Sequence, residues 1–400
     1  MKNIDTEYDY IIVGAGSAGC VLANRLSKNP KNRVLLLEAG REDKSITLKM
    51  PGAVLLNLKS TKHNWAFKGE PEPELAGRQL QHDRGKTLGG SSSINGMVFI
   101  RGNSLDYEGW RQMGCDGWGY ADVLPYFKKM ESYSGGGDDF RGDSGPLRVH
   151  RSVPKDPLSI AFINAGKEAG YKETDDISGY CQEGFGIFDR TVFKGERWST
   201  TRGYLDPVRD RKNLTIITKA LVCKLNLENN KATGVCFKTN KNKVFNVKSK
   251  KEVILCAGAV GSPHILMLSG IGPKDHLKSM GVNLIADMPG VGQNLQDHLM
   301  FRPIYKVHGL KSLNKKINSL IGNLMIGLEY IFNRSGPMTM GASQMCMFAK
   351  SDPSLELPDL QWHVQPMSMD TLGATKNHDF HAFTPTVSNI RPTSRGYVSI

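Results

Sequence analysis

Three glycines and one acid carry the first chemistry that can be read in this chain. Gly14, Gly16 and Gly19 follow the apolar run Tyr10-Ile11-Ile12-Val13, and Glu38 closes a second run, Val34-Leu35-Leu36-Leu37. The first glycine permits a tight turn, the second lets a pyrophosphate approach the main chain, and the third lets a helix pack closely on a strand. In the turn Gly14-Ala15-Gly16-Ser17-Ala18-Gly19, the helix that follows would aim its free N–H groups and positive dipole end at those phosphates. Glu38 lies 24 residues after Gly14, with Ala39 beside it. An acid there can accept hydrogen bonds from an adenosine ribose, which favours FAD or NAD over NADP. An ordinary glycine turn is the alternative, and it leaves Glu38 without a role.

The elements needed to hold these residues are legible nearby. The runs 10–13 and 33–37 lack polar alternation, as expected of parallel strands buried on both faces. Ala18, Val21, Leu22 and Leu26 recur at helical spacing, and Pro30 is expected to stop that helix. Further on, 213–218 and 220–225 read as strands, a hairpin turn is expected at Thr239-Asn240-Lys241-Asn242, and 253–258 reads as a buried strand returning to the nucleotide. Gly258 permits close backbone approach there. Leu313 to Phe332 has helical spacing ended by Ser335-Gly336-Pro337, Leu360 to Val364 alternates as a strand, and Arg395 to Ile400 is expected to begin another.

Composition narrows the classes. The chain has 400 residues, 39% hydrophobic and 23% charged, enough for a large core and two domains. The formal charge of +13 comes from dispersed lysines with no nucleic-acid-binding motif, so nucleic acid is not an expected partner. A weak peripheral attraction to an anionic membrane face is the alternative meaning of that charge. The seven cysteines are scattered with no C-x-x-C pair, which argues against zinc ribbons, iron–sulfur clusters and disulfide frameworks. Cys20 and Cys256 read as small core residues. His264 and the pair Asp297-His298 lack a third ligand, so no metal is expected. Residues 1–7 carry no apolar signal region and no run of 18 apolar residues occurs, so the expectation is a soluble, cytoplasmic protein.

A second segment is dense in information: Arg84-Gly85-Lys86-Thr87-Leu88-Gly89-Gly90-Ser91-Ser92-Ser93-Ile94-Asn95-Gly96-Met97-Val98-Phe99-Ile100-Arg101-Gly102. Its Gly-Gly-Ser-Ser-Ser run offers mobile, donor-rich backbone able to wrap phosphates or a polar ring, and it leads straight into four apolar residues that must be buried. This segment resembles the first signature of the glucose–methanol–choline (GMC) oxidoreductases. Gly258-Ala259-Val260-Gly261-Ser262-Pro263-His264-Ile265-Leu266-Met267-Leu268-Ser269-Gly270-Ile271-Gly272 resembles the second. The likeness runs from residue 8 to residue 400. It is strongest to choline dehydrogenases and related bacterial alcohol dehydrogenases, through Asn64-Trp65-Ala66-Phe67, Gly195-Glu196-Arg197-Trp198-Ser199, the segment 289–298 and Arg391-Pro392-Thr393-Ser394-Arg395-Gly396.

The resemblance implies an α/β fold. A Rossmann-like FAD-binding domain would span 8–308, with excursions near 150–200, and 309–400 would begin an antiparallel-sheet substrate domain. It implies that Arg84, Leu88, Gly89, Gly90, Ser91 and Ser92 cover the FAD pyrophosphate and ribityl chain. Asn95, Gly96, Met97 and Val98 would lie along the isoalloxazine ring, and Val222, Ala257 and Gly258 would meet the adenosine end. Some relatives attach FAD through a histidine where this chain has Ile94, so dissociable FAD is expected. Trp362 or its neighbours could face the substrate, although an aromatic in a sheet is usually a packing residue. The implied reaction takes a proton from a primary alcohol, choline or similar, while hydride passes to flavin N5 and electrons go on to a quinone-like acceptor.

The resemblance places the family's catalytic histidine, and its His or Asn partner, beyond Ile400. No catalytic residue is therefore expected within these 400, and the chain by itself is expected to be nearly inactive, a truncated product or a fragment. An alkanol or aryl-alcohol substrate, a non-catalytic FAD-binding remnant and an NAD-dependent enzyme are the alternatives.

Overall fold

The computed structural model describes residues 5–151, 156–341, 343–371 and 376–400. Of the N-terminal stretch 1–7, Met1 to Ile4 lie outside the described residues. In chain order, β1 (Glu7–Val13), α1 (Ser17–Leu26) and β2 (Val34–Glu38) come first. β3 (Val98–Phe99), β4 (Glu131–Tyr133), β5 (Leu147–Arg151), β6 (Gly184–Ile187) and β7 (Asp189–Arg190) follow. The middle supplies β8 (Leu214–Thr218), β9 (Ala220–Glu228), β10 (Lys231–Thr239), β11 (Val244–Leu255) and α2 (Gly258–Leu268). Then come β12 (Met300–Phe301), β13 (Tyr305–Lys306), α3 (Leu320–Asn333), β14 (Met345–Ala349), β15 (Leu360–Gln365) and β16 (Ala382–Asn389).

The first sheet has the order β8-β2-β1-β11-β10-β9. Its β8, β2, β1 and the end of β11 are parallel, with Val13 paired to Leu37 on one side and Leu255 on the other. The start of β11 is antiparallel to β10, so one long strand joins the nucleotide sheet to a meander. Alternate residues fill two cores. Ile11, Val13, Leu35 and Leu37 pack with Val222, Phe237 and Val247, whereas Ile12 and Leu36 pack with Cys20, Ala23 and Leu205. Period-two packing into apolar layers on both faces is why no polar alternation appears in the sequence.

The second sheet is antiparallel, in the order β12-β16-β15-β14-β6 with β13 paired to β16. A third, β3-β7-β5-β4, is built from residues that fall between β2 and β8 of the first sheet. It is clamped by buried charge: Arg141 reaches Glu131 at 3.1 Å and both Asp176 and Asp189 at 2.8 Å, and Arg151 reaches Asp189 at 2.8 Å. Arg101 bonds the same Glu131 oxygen, Oε1, that Arg141 reaches.

Four local expectations need correction. α1 ends at Leu26, short of Pro30, because asparagines take its last carbonyls: Asn32 donates to Leu26 O at 3.1 Å, and the Asn213 amide reaches Ser27, Asn29 and Asn32. The 313–332 pattern is two helices, Asn314–Asn318 and α3, divided at Ser319, whose hydroxyl caps α3 by accepting from Gly322 N. Residues 395–400 form no strand; Gly396 bridges Leu295 and Val398 donates to Gly292 O at 2.7 Å, so this segment pairs with a loop. Cys20 is fully buried, but Cys256 is only half-buried at the edge of its core.

Candidate functional site

Gly14, with φ +99°, starts a turn so close to β11 that a Cβ there would sit 2.5 Å from Cys256 O. A Cβ on Gly19 would sit 1.9 Å from Gly14 O, so α1 rests directly on the turn. Gly16 has nothing nearer than 4.0 Å and no side chain caps α1. The first N–H groups of the helix, at exposed Ser17 and Ala18, thus lack intrahelical partners and face an open approach.

Glu38 ends β2 buried, accepting from Ala15 N at 2.9 Å and Gly40 N at 2.7 Å. It ties the glycine turn to the end of the second strand. Burial pushes its carboxyl up from 4.5 to about 7, against the pull of the two backbone amides and the Lys86 charge. An acid whose folded pKa is raised stabilises the folded chain at low pH and loses that contribution as pH rises. The window runs from about 4.5 to about 7. The apoprotein is expected to lose roughly 3 kcal/mol across it, and Glu38→Gln to flatten the dependence; urea unfolding at several pH values checks both.

The second loop is seated on the first. Gly89 donates to Ala15 O at 2.7 Å, and a Cβ on Gly90 (φ +53°) would lie 2.7 Å from Gly16 Cα. The segment is not mobile as expected: Gly90–Ser93 form a 3₁₀ turn in which Ser93 Oγ bonds Leu88 O at 2.7 Å and Ser92 Oγ meets Thr200 Oγ1 at 2.9 Å. Ser91 Oγ accepts from Gly85 N at 3.1 Å, and Arg84 N donates to Asn64 Oδ1 at 3.0 Å. Met97 takes a left-handed φ of +63°, held by Asn95 Oδ1 accepting its N–H at 3.0 Å and by Thr191 N on its carbonyl at 2.9 Å. Of the four apolar residues, Met97 and Phe99 are buried, while Val98 and Ile100 are half-buried. Gly96 is also half-exposed, so Gly96 and Val98 present an accessible edge.

Arg197 carries this segment, and sequence reasoning gave it no role beyond its place in a shared motif. Fully buried, it donates from Nη1 to Asn95 O at 2.7 Å and Asn95 Oδ1 at 2.8 Å, and from Nε to Leu48 O at 3.0 Å. Arg197→Met is expected to cost roughly 3 kcal/mol of stability through these charge-assisted bonds. It should also weaken cofactor uptake, read by denaturant unfolding and by cofactor titration.

At the far end, Lys219 N donates to Gly40 O at 2.7 Å, which brings the start of β9 and Val222 to the end of β2. Val222 itself is buried in the core. Ala257 Cα is within 3.0 Å of a Cβ placed on Gly14, and Gly258 (φ +79°) opens onto empty space. A cleft of about 470 Å³ beside Ala39 and Gly40 is lined by Arg41, Lys62, Lys86, Lys219 and Lys238, which makes this end cationic. The structure therefore brings the 14–19 turn against Glu38, the Gly89–Gly90 loop and Ala257.

The second sheet supplies a polar wall. Residues paired across an antiparallel ladder share a face, so Cys346, His363 and Thr386 lie together, as do Phe348, Gln361 and Ser388. Gln344, Gln365 and Thr384 continue that face, and Gln344 Nε2 and Thr386 Oγ1 are buried with no partner among the described residues. Val98 packs against the cluster formed by Phe188, Cys346 and Phe348, so the wall meets the 88–98 loop. Trp362 points the other way, toward Phe185 and Met347, in the packing role usual for an aromatic in a sheet. Its neighbour His363 is on the wall, 4.8 Å from the Phe188 ring. Burial, then the nearby His298, lowers its pKa to about 4, so the imidazole is neutral at physiological pH. Strand alternation around Trp362 was the signal that distinguishes the two.

Residues 8–300 match the GMC oxidoreductase family. The oxygen-dependent choline dehydrogenase of Staphylococcus xylosus is 44% identical over 98% of this chain and 70% of its own length. That of Sinorhizobium fredii is 43% identical over 93% and 68%. Among solved structures, pyridoxine 4-oxidase from Mesorbium loti superposes with a TM-score of 0.86 at 31% identity, covering 98% of this chain and 73% of that one. Aspergillus oryzae formate oxidase gives 0.88 at 26% identity, covering 97% and 74%. The chain belongs to the GMC oxidoreductases, a mixed α/β family of FAD-dependent enzymes. Among its described residues no helix is long and apolar enough to cross a membrane.

Proposed function

We propose that this chain holds FAD non-covalently along the glycine turn and the loop seated on it, and serves the oxidation of a small primary alcohol, choline or a close analogue. The observation that carries the reading is the meeting at Val98 of a glycine-cleared cradle and a buried polar wall. The residues fit the cofactor. Gly16 leaves the main chain open to a pyrophosphate, Gly90 lets the second loop close onto it, Gly258 leaves open space, and Glu38 would serve the ribose. Ile94, buried and without a nucleophile, supports a dissociable rather than an attached flavin.

Bound FAD supplies the acceptor for hydride from the carbinol carbon. The wall's task is orientation: neutral His363 and the amides and hydroxyls of Gln344 and Thr386 can hold the alcohol oxygen, and Phe188 and Phe348 exclude water beside it. The names of the dehydrogenase relatives support choline. The discriminating experiment mixes flavin-loaded protein anaerobically with choline or with a medium-chain alkanol. Faster bleaching by choline supports the proposal; faster bleaching by the alkanol ends the choline assignment, and bleaching by neither favours a flavin-binding remnant.

We place the electron acceptor among quinone-like molecules, at an anionic membrane face. α3 supports this, since Leu320, Ile321, Leu324, Met325, Ile331 and Phe332 are all more than half exposed, with Lys311, Lys315, Lys316 and Arg334 flanking them. The protein is expected to co-sediment with anionic vesicles and to release them when Leu324 and Phe332 become serine.

A further inference from the structure

Buried polar groups are normally partnered, and each exception asks for a reason. Arg190 is 1% exposed, and its Nε and Nη2 have no acceptor among the described residues. Its sequence neighbour Asp189 is already engaged, with oxygens accepting from Arg141 and Arg151 at 2.8–3.1 Å. Burial lowers the guanidinium pKa to about 10, which still leaves Arg190 cationic at physiological pH. Arg197, equally buried, is anchored through Nε to Leu48 O and through Nη1 to Asn95, with only Nη2 lacking a partner among the described residues. Arg190 is therefore a fixed charge kept in a desolvated place at considerable cost, without a protein counter-ion in direct contact.

Its position says what could offset that cost. In the β3–β7 ladder Val98 pairs with Arg190, so the two side chains share a face. A Cβ on Gly341 would lie 3.0 Å from Gly96 O and 3.2 Å from Arg190 Cδ, so the Gly96 carbonyl and the Arg190 side chain both flank Gly341. Gly96 and Val98 are the half-exposed edge along which the flavin ring is placed in the reading above. Hydride transfer brings two electrons and one proton to that ring, turning a neutral group into a reduced one with one negative charge. The hydroxyl proton of the alcohol leaves separately. A cation on this face is worth little to the oxidised ring and much to the reduced one.

We infer that Arg190 is the charge that stabilises the reduced flavin and so sets the potential of the bound cofactor. This rests on the FAD reading but not on any choice of alcohol. The test is the midpoint potential of the bound flavin, measured by equilibration with redox dyes in the full chain, for wild type, Arg190→Gln and Arg190→Lys. Arg190→Gln is expected to lower the affinity for reduced relative to oxidised FAD at least tenfold, a fall of about 30 mV for a two-electron couple. Arg190→Lys is expected to stay closer to wild type than to Arg190→Gln. A Gln variant that keeps the wild-type potential overturns the inference and leaves Arg190 a packing residue. If the Gln variant holds no flavin, the Lys variant decides: a tenfold shift there overturns the charge assignment, and a shift under about threefold upholds it. Wild-type protein that takes up no FAD overturns the cofactor reading together with this inference.

Discussion

Gly90→Ala is expected to weaken FAD binding by roughly a hundredfold, about 2.7 kcal/mol. The added methyl group would sit 2.7 Å from Gly16 Cα, where only backbone stands in the way, and the residue must also hold a φ of +53°. Left-handed strain alone costs about 1–2 kcal/mol, and the remainder comes from lifting the 88–98 loop off the glycine turn. That lift separates the two halves of the cradle while sparing both cores, so apoprotein unfolding should change far less than cofactor affinity. Gly77 is the control: it has φ +70° and nothing within 4 Å of an added Cβ. Gly77→Ala should carry the strain without the loss of FAD. Fluorescence titration of apoprotein with FAD separates the two, and equal affinities for Gly90→Ala and wild type would refute the seating of one loop on the other.

Arg141→Met is expected to destabilise the chain by about 3–5 kcal/mol, the usual cost of stripping one partner from a buried ion network. Arg141 is fully buried and reaches Glu131, Asp176 and Asp189, of which Glu131 and Asp189 are themselves fully buried. Arg101 and Arg151 stay in place but cannot neutralise three carboxylates from their positions. Adding Asp189→Asn to Arg141→Met should recover part of the loss, because one uncompensated charge disappears. A loss below about 1 kcal/mol in denaturant unfolding would mean that the β4–β5–β7 region does not depend on this network. The same region carries Arg190 and pairs with β3, so the double variant should also lower cofactor retention.

The nucleotide half was legible because its constraints are local. Close backbone approach demands glycine at 14, 19 and 90, and the parallel strands advertise their two-sided burial by losing alternation. What stayed hidden depends on contacts between distant residues. Arg197 reaches Asn95 across about a hundred positions, and the network joining Arg141 to Glu131, Asp176 and Asp189 draws on three separate segments. Neither has a spacing rule that sequence can reveal. His363 was within reach of alternation, since strand periodicity puts it on the face opposite its packed neighbour Trp362. Two helix boundaries were hidden because single side chains set them: Asn32 takes the Leu26 carbonyl at the end of α1, and the Ser319 hydroxyl caps the start of α3.

A dissociable FAD, held along the Gly14–Gly19 turn and the Gly89–Gly90 loop seated on it, is the central proposal. Acid precipitation of the purified protein, followed by chromatographic identification of the released chromophore, tests that most directly. A yellow protein whose precipitate turns white and whose supernatant holds intact FAD, with the yield lost in Gly90→Ala, is the predicted result. Colour that stays with the precipitated chain, or a colourless protein that takes up no FAD on incubation, would contradict it.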